Sequence, residues 1–200
     1  MGGLELSKVI LASKSPRRKE LLSLIAKDFK VIVSSADEVV DTNLTPEEQV
    51  KAISLQKADN VLNEILPKKE DFILIASDTI VVSQDGEILG KPKDEDDAKR
   101  MLRKISGDIH DVMTGLAIYV QKEGVLTSNV SVDITEVHVN KLSEEEIQKW
   151  LDTGNAWDKA GAYGIQQEFG VHIERIYGSY PTVMGLPIHK VYDVIKDYLK

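Results

Sequence analysis

The chain contains no cysteine. Disulfides, thiol catalysis and thiolate metal sites are therefore excluded, and a reducing compartment fits the composition. Aromatic residues make up only 6% of the 200, too sparse for the interleaved aromatic and basic stripe that tracks single-stranded nucleic acid. Lysine and arginine number 25 against 33 acids, for a formal net charge of −8. The broad basic footprint of a general nucleic-acid binder is missing, although a small basic pocket is not excluded. No apolar run approaches membrane-spanning length, and no charged-then-apolar leader pattern opens the sequence. A cytoplasmic protein with neither nucleic acid nor membrane as partner is the expectation. The four histidines, at 110, 138, 172 and 189, lack zinc-type spacing and read as surface or packing residues. Neither a GxxxxGK[ST] loop nor a GxGxxG turn is present.

What is present is an ordinary charged globular composition, 42% hydrophobic and 29% charged, in a chain long enough for a substantial core. The stretch from Val9 to Leu22 organises the rest. An apolar run reads as a buried strand, Ser13 and Ser15 follow in a turn, and Pro16 suits the first helical position with Ser15 as N-cap. Arg17, Arg18 and Lys19 then fill the first helical turn, where the dipole favours negative charge. Cations at that end are stabilised if an anion sits among them, so hydroxyls, backbone N–H groups and guanidinium forks describe a phosphate site.

Strand and helix alternate from there. A helical face of Leu21, Leu22, Leu24 and Ile25 leads to a second strand over 29–34 and a polar loop with Asp37, Glu38 and Asp41. Thr45-Pro46-Glu47-Glu48 is a capping box opening a helix to about Leu66, with Val50, Ile53, Val61, Leu62 and Ile65 as its inner stripe. Phe72 to Ser77 reads as a doubly covered central strand that ends at Asp78 and Thr79. Gln84-Asp85-Gly86 marks a hairpin, and residues 94–105 form a helix with acids first and bases last. Two long strands, 109–121 and 125–139, follow, the second with a parity change suggesting a bulge near Thr135. A helix from Ser143, a glycine-bearing loop over 157–170 too rich in small residues for core, a strand over 171–176 and a helix over 188–199 complete the order. The expected fold is α/β, with a long mixed central sheet flanked by helices and two lobes around a nucleotide-binding cleft.

Several side chains carry chemistry, each beside a plainer reading. Asp78 at a strand end suits a general base or a metal ligand, against an Asp that caps a turn. Glu38 could join a Mg²⁺ site, since that ion takes one or two carboxylates plus substrate phosphates; it could equally be a solvated loop acid. Lys57 interrupts an apolar stripe and either snorkels outward or points into a charged pocket. Lys91, between Gly90 and Pro92, suits phosphate or solvent. Gln166 offers donor and acceptor to a base edge, or simply belongs to a connecting loop.

Taken together, Ala12-Ser13-Lys14-Ser15-Pro16-Arg17-Arg18, Ala76-Ser77-Asp78-Thr79, Gly90-Lys91-Pro92 and the run from Asp158 to Gln166 resemble, in order, the motifs of the Maf-like nucleotide pyrophosphatases. Ser106-Gly107, Thr114-Gly115 and Val183 to Pro187 look like further landmarks, so the resemblance spans nearly the whole chain as a single domain over 1–200. It implies hydrolysis of a nucleoside triphosphate between the α and β phosphates, a divalent cation (Mg²⁺ or Mn²⁺), a two-lobed mixed-sheet fold and commonly a homodimer. Arg17 after Pro16, Thr79 after Asp78 and the Tyr163-Gly164-Ile165-Gln166 run resemble the branch that prefers dTTP and UTP over 7-methyl-GTP. The resemblance makes Asp78 the proton acceptor and Arg17, Thr79 and Gln166 the specificity positions. It maps Ser13, Ser15, Arg18, Lys57 and Lys91 onto the phosphate pocket, and Glu38 with Asp78 onto the metal. The competing implication is a nucleotide-binding regulator of septum formation with little turnover.

Overall fold

Strand β1 (Lys8–Leu11) pairs in parallel with β2 (Phe29–Val31) on one side and β3 (Phe72–Ser83) on the other. With β4 (Ile88–Leu89), β5 (Ile109–Lys122), β6 (Val125–Val139) and β7 (Ile173–Tyr177), these form a mixed seven-stranded sheet. Its order is β2-β1-β3-β5-β6-β7, and β4 pairs with β3 as an antiparallel hairpin. The helices are α1 (Pro16–Ser23), α2 (Pro46–Ile65), α3 (Glu95–Ile105), α4 (Glu144–Asp152), α5 (Tyr180–Met184) and α6 (Ile188–Ile195). The α/β expectation is met. This computed structural model describes residues 8–33, 38–66 and 70–198. Ser34, Asp37 and Leu199, to which the sequence reading extended elements, lie outside those residues.

Two compact units divide the chain. One holds the described residues up to Asp78, then 114–133 and those from Gly185 on; the other holds 79–113 and 134–184. The first unit has a core between α2 and the sheet. Ala58, Val61, Leu62 and Ile65 of α2 meet Ile10, Phe72, Leu74, Ala76 and Ala117. Gly115 lets α2 approach closely, because a Cβ there would lie 2.3 Å from the Val50 carbonyl oxygen. The second unit is built on α3 and α4. Leu102, Ile105, Ile147 and Trp150 close over Val81, Val112, Val137 and the fully buried Phe169.

Several local expectations hold for local reasons. The capping box at Thr45 is formed as read, and the helix read from Ser143 opens with a capping box of its own. Glu123 and Gly124 both have positive φ, 51° and 83°, which matches the twist that a tight β5–β6 turn requires.

Others are corrected. Helix α1 stops at Ser23, and Leu24 is 69% exposed, so it leaves the helical face assigned to it. Strand β2 is short, and β7 begins at Ile173 with Val171 exposed. The β6–β7 register shift falls between His138 and Val139, where β7 carries the extra residue Glu174. On the other parity of β6, Val130 and Ile134 are exposed while Thr135, Val137 and Val139 are buried; the parity change marks a face left in solvent. The 157–170 segment also contradicts its reading. Lys159, Gly161, Ala162, Tyr163 and Gly164 are buried, because small residues admit close backbone packing rather than preclude it.

Candidate active site

Asp78 does not end its strand. Strand β3 runs on through Asp78 and Thr79 to Ser83, so the turn-cap reading of Asp78 falls away. Alternation then decides which way it faces. Phe72, Leu74 and Ala76 share a parity and pack in the α2 cluster, and Asp78 is the next residue on that parity. Lys57 lies one turn after Ile53 and one before Val61 on the buried stripe of α2. Its ammonium donates to Asp78 Oδ1 and lies 2.9 Å from Glu38 Oε1. The snorkelling alternative for Lys57 is therefore replaced by a charged cluster.

Gln56, the neighbour of Lys57, holds the Glu38 loop. Its side-chain amide donates to Val39 O at 2.9 Å and accepts from Val39 N at 3.0 Å. This paired tie fixes the backbone next to Glu38 to α2 while the loop stays exposed. Nothing in the spacing of Gln56 announced it.

The opposite parity of β3 serves α1. Ser77 is fully buried and donates to Gly185 O at 3.0 Å. Arg18 Nε donates to the same oxygen at 2.9 Å, and Arg18 Nη1 donates to Ser13 Oγ at 3.3 Å. Ser13 Oγ also accepts from Ser15 N, and Ser15 caps α1 by accepting from Arg18 N at a long 3.5 Å. Loss of solvent holds the Arg18 guanidinium below its ordinary value, while the carboxylates of Asp78 and Glu38 pull the other way. Arg17, half-buried, stands in the same first turn. The first unit thus brings together Ser13, Ser15, Arg17, Arg18, Glu38, Lys57 and Asp78.

Thr79, Lys91 and Gln166 belong to the second unit. Thr79 follows Asp78 on β3 and is half-buried; Lys91 and Gln166 are exposed. Gln166 sits at the tip of a turn closed by Gln167 N donating to Gly164 O at 3.3 Å. Gly164 leaves room there for the Lys159 stem, since a Cβ would lie 2.7 Å from Lys159 Cε. The backbone N–H of Gly161 donates to Gly90 O at 3.0 Å, which ties this segment to the residue before Lys91.

A family model described as "Maf-like protein" matches residues 8–198, running through both units. The chain belongs to the Maf family. It is 42% identical over 194 residues to the dTTP/UTP pyrophosphatase of Acetivibrio thermocellus, covering 96% of this chain and 95% of that one. It is 44% identical over 189 residues to the enzyme of the same name from a Thermoanaerobacter species, covering 94% and 95%. A third relative of that name, from Geotalea uraniireducens, is 44% identical over 191 residues, with 95% and 94% covered. Among solved structures, the Staphylococcus aureus Ham1 protein gives a TM-score of 0.43 at 15% identity over 66% of this chain and 72% of that one.

Within this Maf chain, besides Gln56, the roles of two further residues were not legible beforehand. Ser77 reads as part of an apolar strand, and Gly185 as one glycine in a terminal landmark. Both are defined by a hydrogen bond across more than a hundred residues. The histidines, read as surface or packing residues, include both kinds: His189 is exposed and His110 is packed inside. His110 is buried against Tyr163, with Nε2 2.7 Å from the phenol oxygen, and burial pushes its pKa down to about 4. No helix among the described residues is long and apolar enough to cross a membrane.

Proposed function

We propose that this chain is a nucleoside triphosphate pyrophosphatase that takes dTTP and UTP to the monophosphate and pyrophosphate. The observation that carries the reading is the paired set in the first unit: cations at the start of α1, and two carboxylates sharing the Lys57 ammonium. The names of the relatives support the same activity, and they favour turnover over the reading as a septum regulator.

The donor set suits a divalent cation. No three of His, Cys, Asp and Glu gather as a metal site among the described residues, but Mg²⁺ asks for one or two carboxylates and completes its shell with phosphate and water. Glu38 and Asp78 are two such carboxylates, already held against one positive charge. These two would hold the ion, which when bound neutralises phosphate oxygens and so eases departure of pyrophosphate.

The chain's own residues do the rest. Arg17, Arg18, Ser13 and Ser15 bind phosphate oxygens at the start of α1, where backbone N–H groups and the helix dipole add to the cations. Lys57 turns from the carboxylates to the polyphosphate. Asp78 accepts the proton of the water that attacks the α-phosphorus. Arg17, Thr79 and Gln166 select the base, and Lys91 contributes a further positive charge; these assignments rest on motif position. Pyrophosphate release from a nucleotide panel, with and without Mg²⁺, tests the reading. Labelled dTTP should give dTMP and pyrophosphate, whereas release of dTDP and orthophosphate overturns it.

A further inference from the structure

We propose that Ser77 is a positioning residue for phosphate binding, acting through the Gly185 carbonyl that it shares with Arg18. The inference deepens the pyrophosphatase reading and rests on it. A serine hydroxyl at 0% exposure, at the end of the apolar run 72–76 of β3, carries a desolvation cost unless it is hydrogen-bonded. Here it donates to the Gly185 oxygen at 3.0 Å, which accepts from Arg18 Nε at 2.9 Å as well. Three chain segments are thereby joined at one atom: β3 immediately before Asp78, α1 at its first turn, and the residue following α5.

The geometry explains why such an anchor is useful. An arginine has a long flexible stem, and its fork is effective only when its plane is fixed. With Nε on Gly185 O and Nη1 on Ser13 Oγ, the Arg18 guanidinium is held at two points. The first of those points moves if Gly185 moves. Gly185 has φ +104°, a conformation ordinary side chains avoid, so its peptide is shaped by its own contacts rather than by a regular element. The Ser77 hydroxyl pins that peptide. The backbone leaving Ser77 also carries Asp78, so the same bond keeps the phosphate holder in register with the proposed base.

The test uses Ser77→Ala, Arg18→Lys and the double variant in the full-length protein, each checked by thermal melting. Steady-state dTTP hydrolysis and product inhibition by inorganic pyrophosphate are the readouts. Ser77→Ala should raise KM and weaken pyrophosphate inhibition about fivefold, with a smaller change in kcat, the scale of one lost neutral hydrogen bond. In the Arg18→Lys background the same substitution should change both constants by less than twofold, because the group it positions is gone. Should Ser77→Ala melt below the assay temperature, Ser77→Cys keeps the volume with a much weaker donor, and the same direction is expected. Equal effects in both backgrounds, or unchanged KM and inhibition in a folded variant, overturn the proposal. If instead Arg18→Lys itself leaves KM and pyrophosphate inhibition unchanged, the phosphate role of Arg18 fails, and the anchor built on it fails too.

Discussion

Helices α1 and α3 start in the same way and diverge within one turn. Each has a side-chain N-cap. Asp94 Oδ1 accepts from Asp97 N at 2.8 Å, whereas Ser15 Oγ accepts from Arg18 N only at 3.5 Å. Helix α3 places Glu95, Asp96 and Asp97 in its first turn and Arg103 and Lys104 in its last, the order its dipole favours. Helix α1 has no acid in its first turn and no base in its last, with Arg17, Arg18 and Lys19 where acids belong. A helix that follows these rules is stabilised by its own sequence. One that breaks them is kept by something else: here Gly185 and Ser13 hold Arg18 from outside the helix, and Ser77 donates to the same Gly185 oxygen. The rule-breaking helix is the one beside the candidate site.

The largest test of that contrast leaves the helices intact. Asp78→Asn should lower dTTP turnover by about 10²–10⁴-fold, the usual worth of general-base assistance, with the fold verified by melting. Normal turnover in a folded variant removes Asp78 from its role. Arg18→Ala should raise KM for dTTP on the order of tenfold or more, the scale of a hydrogen bond to a charged group, measured at saturating Mg²⁺. Lys57→Met should lower turnover yet tighten Mn²⁺ binding by nucleotide-free protein, on the order of tenfold for release of one competing charge. Electron paramagnetic resonance of free Mn²⁺ reads that directly, and unchanged affinity would separate Lys57 from the cation.

The second unit should respond in stability rather than catalysis. Burial keeps His110 neutral, its folded pKa near 4 against 6.5 unfolded. The unfolded chain therefore takes up a proton first as pH falls, and stability is lost between about pH 6.5 and 4, by up to about 3 kcal/mol. Urea unfolding across that range should show the slope, and His110→Gln should make it shallower, most clearly above pH 5. Smallest are the helix ends. Asp94→Ala should cost about 1 kcal/mol without changing KM, while Lys19→Glu should stabilise α1 by a few tenths of a kcal/mol. A loss of stability in the second case would mean that α1 is not strained by its cations.

Much of the fold was legible because its determinants are local. Thr45 with Glu48, and Ser143 with Glu146, are three residues apart and form their capping boxes regardless of what lies beyond. The Lys122-Glu123-Gly124 turn and the Asp94 start of α3 are legible for the same reason. Misread segments were those in which an element ended early or tertiary contact outweighed local preference. Leu24 left its helical face when α1 ended early, and residues 159–164 entered the core because their smallness fits the space left there.

The site divides along the same line. The sequence by itself determined which groups are available: two serines and two arginines at a helix start, a lysine on an apolar stripe, and an aspartate after an apolar run. It could not determine which of them meet. Strand parity in β3 sends Asp78 toward Lys57 and Ser77 toward Gly185, yet that parity has consequences only once α2 and α1 are packed on β3. Gln56 reaches the Glu38 loop, and Gly115 sets the approach of α2, through contacts with no signature in spacing. Hydrogen bonds act over about 3 Å, whatever the separation along the chain, so only the folded structure decides them.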